Sequence, residues 1–200
     1  MRFVLASQNA HKLSEISAVL AEFGDEVVSA HDVGIDLDVE ETGTTFEENS
    51  RIKAQAILEL CGMPTIADDS GLMVDALDGA PGVYSHRFGN KNSDYERCLY
   101  LLERLQDVPF EKRTARFVSV VTCLFPTGGG IVARGTCEGV ILTELRGDNG
   151  FGYDPLFFVP EFGKTFAELS AAQKNAISHR GNALRSFREQ YREWIGHADK

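Results

Sequence analysis

Two long segments with strand-like composition, separated by three glycines, restrict the possible folds of this chain more than any other feature. Residues 114–125 and 131–140 are rich in β-branched and aromatic side chains, which are typical of strands. Gly128, Gly129 and Gly130 lie between them, and glycine readily takes the backbone angles of a tight turn. The sequence therefore predicts a β-hairpin, and any fold proposed for the chain has to include it.

The remaining segments alternate between strand and helix signals. Asn9 predicts the start of a helix, because an Asn side chain caps free backbone N–H groups. Capping boxes that begin at Thr45, Ser93 and Ser170 predict three more helices. Helices are expected over 10–23, 46–60, 94–105, 171–178 and 182–195, and further strands over 2–6, 27–28, 65–68 and 156–159. Helix-linked strands together with a hairpin predict an α/β fold with a mixed sheet.

The composition narrows the class of protein. Hydrophobic residues make up 43% of the 200 residues and charged residues 25%, as in a globular chain. The length fits a single domain over 1–200, with or without two lobes. A formal net charge of −10 argues against DNA or RNA as a partner, because the phosphates would be repelled. A small anionic ligand would need a local basic pocket or a metal ion.

Neither a signal peptide nor a membrane span is indicated. The apolar run over residues 3–6 is too short for a signal peptide, and no stretch approaches the ~18 apolar residues of a membrane helix. The four cysteines form no C-x-x-C pair and lie in apolar or mixed runs, which favours reduced core cysteines over a zinc site. We therefore expect a cytoplasmic protein without a membrane partner.

Residues 7–12, Ser-Gln-Asn-Ala-His-Lys, are a candidate phosphate site. They stand where the first strand ends and the first helix begins, and unpaired N–H groups and the helix dipole attract anions there. Lys12 adds a full positive charge. The loop G-x-x-x-x-G-K-[ST] is absent. The plainer alternative is an Asn cap followed by a solvated lysine.

Glu40-Glu41 and Asp68-Asp69 form a candidate metal site. The two aspartates are expected at the end of a strand, where Gly71 would form a tight turn. Mg²⁺ prefers carboxylate oxygens and keeps several waters, which leaves room for substrate phosphates. A solvated acidic loop and ordinary turn residues are the alternatives. Lys53 follows on the next helix and is expected to reach the same cleft.

Two segments near the C-terminus could bind the rest of a nucleotide. Within residues 150–155, the glycines allow close approach of the backbone to a ligand, and Phe151 offers a face for stacking on a base. Lys174 and residues 178–181, Ser-His-Arg-Gly, bring cations that bind anions or donate to carbonyl oxygens. An ordinary glycine turn and a charged helix junction are the alternatives.

These motifs together resemble the inosine triphosphate pyrophosphatase family, whose members remove deaminated purine nucleotides. The matching blocks span nearly the whole chain in order, and they are Ser7-x-Asn9-x-x-Lys12 and residues 40–43, 66–72, 79–85, 151–155 and 178–181. Gln8 departs from the glycine that many members have, which weakens the case for close backbone approach at that position.

The resemblance implies an elongated α/β fold with a long mixed sheet, an active cleft between two lobes, and a homodimer. It also implies Mg²⁺-dependent hydrolysis of ITP, dITP and XTP to the monophosphate and pyrophosphate. Glu40 and Asp69 are implied as metal ligands and Asp69 as the catalytic base, with Asp68 in support. Triphosphate binding maps to Ser7, Gln8, Asn9, Ala10, His11 and Lys12. Base and ribose recognition maps to Ser70, Phe151, Gly152, Tyr153, Asp154, Lys174, His179 and Arg180.

Three other functions compete with this interpretation. A Maf-like pyrophosphatase would act on other nucleotides and should lack the Ser-His-Arg-Gly segment, which is present. A phosphatase of the haloacid dehalogenase type needs D-x-D after the first strand, where this chain has Ser7-Gln8-Asn9. A non-catalytic nucleotide sensor would be favoured by loss of Lys12 or Asp69, and both are present.

Overall fold

The structure, a computed structural model, describes residues 1–198, and its side-chain detail leaves out His11 and residues 197–198. The strands are β1 Arg2–Leu5, β2 Glu26–Ser29, β3 Thr65–Val74, β4 Thr114–Leu124, β5 Gly130–Ile141, β6 Phe157–Val159 and β7 Lys164–Thr165. The α-helices are α1 Ala10–Ala21, α2 Phe46–Cys61, α3 Asp94–Arg104, α4 Ala171–Ile177 and α5 His179–Ala198. Short 3-10 turns occupy several of the connections.

The seven strands of the described chain form one mixed sheet in the order β2-β1-β3-β4-β5-β6-β7. β1 pairs in parallel with β2 and β3, whereas β6 pairs antiparallel with β5 and β7. β4 and β5 are neighbours joined by residues 125–129, a connection far too short for a parallel crossover. The predicted hairpin and the mixed α/β sheet are both confirmed.

The helix starts follow the local capping signals. Asn9 accepts a hydrogen bond from the backbone N–H of Lys12 at 3.2 Å, so it caps α1 as predicted. Thr45, Ser93 and Ser170 each form the predicted capping box at the start of α2, α3 and α4. These signals depend on neighbours three residues apart, which is why the sequence alone is sufficient to find them.

Two predicted boundaries are wrong. β3 does not end in a turn at Gly71 but continues to Val74, because eight of its ten residues are buried and the whole segment is a core strand. The last helix begins at His179 rather than Asn182. A Cβ on Gly181 would lie 2.0 Å from the carbonyl oxygen of Asn175, so this glycine permits close packing against the end of α4 and does not break the helix.

The chain divides into two compact units, each with its own core. The first comprises Met1–Asp69, Ser119–Gly135 and Ala183–Lys200, and the second comprises Ser70–Val118 and Thr136–Asn182. The first unit buries Phe3, Phe187 and Tyr191, and the second buries Phe157 and Phe166. The four cysteines are free thiols, as predicted. Among the described helices, none combines the length and the apolar character needed to cross a bilayer.

Candidate functional site

Two aspartates of β3 provide the carboxylates of the first unit. Asp68 and Asp69 are 1% and 6% exposed. They therefore lie within a buried strand and not in a solvated turn. Asp68 accepts a hydrogen bond from the hydroxyl of Ser119 on β4, with 2.5 Å between Oδ1 and Oγ. Burial of two adjacent carboxylates is costly unless cations compensate for their charge.

Two lysines supply that compensation. Nζ of Lys12 lies 2.7 Å from Oδ2 of Asp68, and Nζ of Lys53 lies 3.1 Å from Oδ1 of Asp69 and 2.7 Å from Oε1 of Glu41. Both ammonium groups also donate to the backbone oxygen of Asp68. Burial opposes the charge on Lys53, but Asp69 and Glu41 outweigh it and hold its pKa above the usual value. The structure thus brings both predicted lysines to the predicted aspartates.

The candidate phosphate segment, residues 7–12, lies between β1 and the first turn of α1, as predicted. Ser7 and Asn9 are half-buried, and Oγ of Ser7 accepts the N–H of Asn9 at 3.2 Å. Gln8 and Ala10 are exposed. The side chain of His11 lies outside the described residues. Because Lys12 is on the first turn of α1, its ammonium and the backbone N–H groups of the helix start belong to one segment.

The carboxylates can be tested for their fit to Mg²⁺. Among the described residues, no group of three or more His, Cys, Asp and Glu side chains is arranged to hold a metal. Mg²⁺ needs only one or two carboxylates when waters and phosphates complete its shell. Oδ2 of Asp69 is buried and receives no hydrogen bond from the described residues, as a carboxylate oxygen reserved for a cation would be. Glu40 is exposed beside Glu41.

The charge state of Asp69 depends on opposing influences. Burial raises the pKa of its carboxyl above the usual value, and Lys53 acts in the opposite direction. Its Oδ1 accepts a hydrogen bond from Lys53, whereas its Oδ2 receives none from the described residues. One oxygen is therefore fixed by a salt bridge, and the other is available for a proton or a metal ion.

The second unit contains the glycine-rich loop. Gly150 has φ +79°, and a Cβ there would lie 2.0 Å from Oδ2 of Asp154, so only glycine fits. That same oxygen of Asp154 accepts the N–H of Phe151 at 2.9 Å. Tyr153 is buried, and its hydroxyl donates to the backbone oxygen of Ser85 at 2.8 Å. The loop is thus tied down at several points while the ring of Phe151 remains 38% exposed.

Lys174, on α4, contacts this loop through its ammonium group. Its Nζ lies 2.5 Å from Oδ2 of Asp154 and 4.7 Å from the centroid of the Phe151 ring. Asp154 is 2% exposed, and burial raises the pKa of its carboxyl against the opposing charges of Lys174 and Arg180. Lys174, which the resemblance assigns to base and ribose recognition together with residues 151–154, therefore contacts that loop in the structure.

His179 and Arg180 begin α5 on the same unit. The His179 ring stacks on Phe117, with centroids 4.8 Å apart and planes inclined by 15°. Arg180 is 3% exposed, its Nη2 lies 3.2 Å from Oγ of Ser70, and its Cζ lies 5.9 Å from the centroid of the Phe151 ring. Ser70, Phe151 and Arg180 are therefore neighbours in space, as predicted from the resemblance.

Two neighbours of the candidate residues are missing from the sequence prediction. Ser119 holds Asp68, and the sequence signal for it is only a hydroxyl at the centre of a mostly apolar strand. Asp94 accepts the N–H of Gly152 at 2.7 Å, although the sequence indicates only a helix start at that position. Both contacts join residues more than 50 positions apart, which local patterns do not reveal.

Comparison with known proteins gives consistent results. A model of the Ham1 family matches residues 3–190. The chain is similar to the dITP/XTP pyrophosphatase of Bacillus cereus, with 48% identity over 195 residues that cover 96% of this chain and 95% of that protein.

Two solved structures have the same fold. They are the Ham1 protein of Staphylococcus aureus, with 40% identity and a TM-score of 0.89, and a Ham1 protein from Coxiella burnetii, with 41% identity and a TM-score of 0.90. Each similarity covers 96% of this chain and 99% of the other. The mixed sheet with flanking helices and the family resemblance found in the motifs are both confirmed.

Proposed function

Because the chain belongs to the Ham1 family, we propose that it hydrolyses non-standard purine nucleoside triphosphates, namely ITP, dITP and XTP, to the nucleoside monophosphate and pyrophosphate. The observation that carries this proposal is the similarity, over 96% of the chain, to a protein named dITP/XTP pyrophosphatase. The residues of the two units are consistent with this proposal. We assign phosphate chemistry to residues of the first unit and base recognition to residues of the second.

The phosphate chemistry is assigned to residues of the first unit. Lys12 and the helix start at residues 7–11 would bind the triphosphate, because an ammonium group and the backbone N–H groups of a helix start lie together in one short segment. Glu40 and Asp69 would hold Mg²⁺, which supplies positive charge for the leaving pyrophosphate. Lys53 would keep the Asp69 carboxylate in a fixed position through its 3.1 Å salt bridge.

Asp69 is the proposed general base. Its Oδ2 is the buried oxygen that the described residues leave without a hydrogen bond, so it can accept a proton from water. The water adds to the α-phosphorus, the bond from that phosphorus to the bridging oxygen breaks, and pyrophosphate leaves with the bonding electrons. Asp68 supports this reaction by holding Lys12 at 2.7 Å.

Base recognition is assigned to residues of the second unit. Phe151 would stack on the purine, and Arg180 and His179 would donate hydrogen bonds to the oxygen at purine C6. Adenine has an amino group at that position, so donors would face donors. Ser70, Gly152, Tyr153, Asp154 and Lys174 would complete the pocket through the contacts described above.

Three broader properties belong to the same proposal. The chain is a single nucleoside triphosphate pyrophosphatase domain over residues 1–200. The active form is a homodimer. The cytoplasm is the proposed location, since the chain has four free cysteines and such thiols persist in a reducing compartment.

A substrate panel in the presence of Mg²⁺ tests the proposal. ITP, dITP and XTP should each release pyrophosphate, and ATP, which carries an amino group at C6, should be hydrolysed more slowly. Direct formation of the nucleoside diphosphate and inorganic phosphate would contradict the proposed reaction. Omission of Mg²⁺ with EDTA should abolish turnover, and unchanged turnover would remove the metal from the proposal.

A further inference from the structure

The backbone of Gly152 is held from outside its own loop by the first helical turns of α3. The N–H of Gly152 donates to Oδ2 of Asp94 at 2.7 Å, and its carbonyl oxygen accepts from Sγ of Cys98 at 3.3 Å. Asp94 and Cys98 are four residues apart, so they lie on the same face of the helix. Both polar groups of this one glycine are thus bound by one face of α3.

Asp94 is itself held in place and charged. Its Oδ1 forms a salt bridge with Arg97, whose Nη1 also donates to the backbone oxygen of Lys91 at 3.0 Å. Burial disfavours the charge of Asp94, but the N–H of Gly152 and the Arg97 guanidinium outweigh it and lower the pKa of this carboxyl. An ionised carboxylate that accepts a backbone N–H makes a stronger hydrogen bond than a neutral acceptor does.

The held glycine directly follows the aromatic residue of the loop. Gly152 has φ +62°, and Phe151 stands beside it with the Lys174 ammonium 4.7 Å and the Arg180 guanidinium carbon 5.9 Å from its ring centroid. The peptide unit between Phe151 and Gly152 therefore has its N–H fixed by Asp94, while Asp154 fixes the N–H of Phe151. A change in that peptide plane would turn the ring relative to both cations.

We propose that Asp94 is a positioning residue for base recognition, which holds the Phe151–Gly152 peptide so that the Phe151 ring presents its face to the purine. This inference rests on the proposed function, because it assigns Phe151 to the base. Asp94 does not touch the substrate. It acts through the backbone of Gly152, and replacement of Asp94 would remove a charged anchor of the loop on α3.

An alternative role for Asp94 is to stabilise the start of α3 through the helix dipole. Ser93 provides the matched control for that role, since its Oγ accepts the N–H of Glu96 and caps the same helix, and no hydrogen bond joins it to the loop among the described residues. Loss of the Ser93 cap should lower the stability of α3, whereas loss of Asp94 should also disturb the loop.

The experiment measures kcat and KM for ITP, together with the inhibition constant of pyrophosphate, in the wild type and in Asp94→Ala, Asp94→Asn and Ser93→Ala. Asp94→Ala should raise KM for ITP about tenfold, the scale of a lost hydrogen bond to a charged group. The inhibition constant of pyrophosphate should stay unchanged, because pyrophosphate carries no base. Ser93→Ala should lower the melting temperature and leave KM for ITP unchanged.

Several results would overturn the inference. They are an unchanged KM in a folded Asp94→Ala, an equal rise in KM in Ser93→Ala, and a parallel rise in the pyrophosphate constant. If Asp94→Ala does not fold, Asp94→Asn tests the inference instead. This variant keeps an acceptor for the N–H of Gly152 but loses the charge, so KM for ITP should rise about threefold. A wild type that releases no pyrophosphate from ITP contradicts the proposed function itself, which separates the two failures.

Discussion

The carboxylate–lysine network of the first unit and the aromatic–cation pocket of the second contain similar residue types in different arrangements. In the first, Lys12 and Lys53 lie against Asp68 and Asp69 at 2.7 Å and 3.1 Å, so charge is compensated by charge. In the second, Lys174 and Arg180 lie over the face of Phe151. The carboxylate that we assign to this second group is that of Asp154, which is buried and forms a salt bridge with Lys174.

The difference shows how cationic side chains of the same type can take part in two kinds of recognition. The lysines of the first unit act as point charges, which suit phosphate oxygens and do not distinguish between bases. A cation over an aromatic ring defines a flat surface with donors at its edge, which suits a purine. Variants in the first unit should therefore change turnover for all triphosphates alike, and variants in the second should change the ratio between bases.

The largest expected effect belongs to Asp69→Asn. This change keeps the size of the side chain but removes the base and a metal ligand, so turnover of ITP should fall by ~10²-fold or more. The fold should survive, because Lys53 keeps its 2.7 Å contact with Glu41. Steady-state kinetics measure the turnover of ITP, and a thermal melt shows whether the variant is folded. Wild-type turnover in a folded variant would show that Asp69 is not catalytic.

A paired comparison of Arg180→Ala and Lys12→Ala tests directly whether Arg180 recognises the base and Lys12 binds phosphate. Arg180→Ala should narrow the ratio of kcat/KM for ITP over ATP about tenfold, since a donor to the C6 oxygen is lost. Lys12→Ala should lower kcat/KM for both substrates and leave the ratio unchanged. An unchanged ratio in Arg180→Ala would remove that arginine from base recognition, and a selective loss in Lys12→Ala would contradict its phosphate role.

A smaller effect is expected from Ser119→Ala. The hydroxyl of Ser119 orients the Asp68 carboxylate that holds Lys12, so its loss should raise KM about threefold for ITP and ATP alike. Ser119→Thr keeps the hydroxyl and should behave more like the wild type. If KM stays at the wild-type value in Ser119→Ala, this hydrogen bond does not contribute to substrate binding.

The sequence predicts those parts of the molecule that depend on neighbours along the chain. The caps at Asn9, Thr45, Ser93 and Ser170 each need a partner three residues away, and all four are confirmed. The family blocks likewise point to Lys12, Asp69 and Arg180 because each block is continuous in sequence, and the roles of these residues stay predictions.

Contacts between distant segments are the part that the sequence does not predict. Asp68 and Ser119 are 51 residues apart, and Asp94 and Gly152 are 58 apart, so neither pair leaves a local pattern. Tertiary packing also changes two local signals. Gly71 lies inside a buried strand instead of a turn, and Gly181 lies in the first turn of α5, where a Cβ would meet the backbone of Asn175.

Hydrolysis of ITP in water enriched in oxygen-18, followed by mass spectrometry of both products, tests the proposed reaction most directly. If water adds to the α-phosphorus, as we propose for Asp69 acting as the base, the label appears in inosine monophosphate and the pyrophosphate stays unlabelled. Label in the pyrophosphate would show attack at the β-phosphorus and would contradict the account.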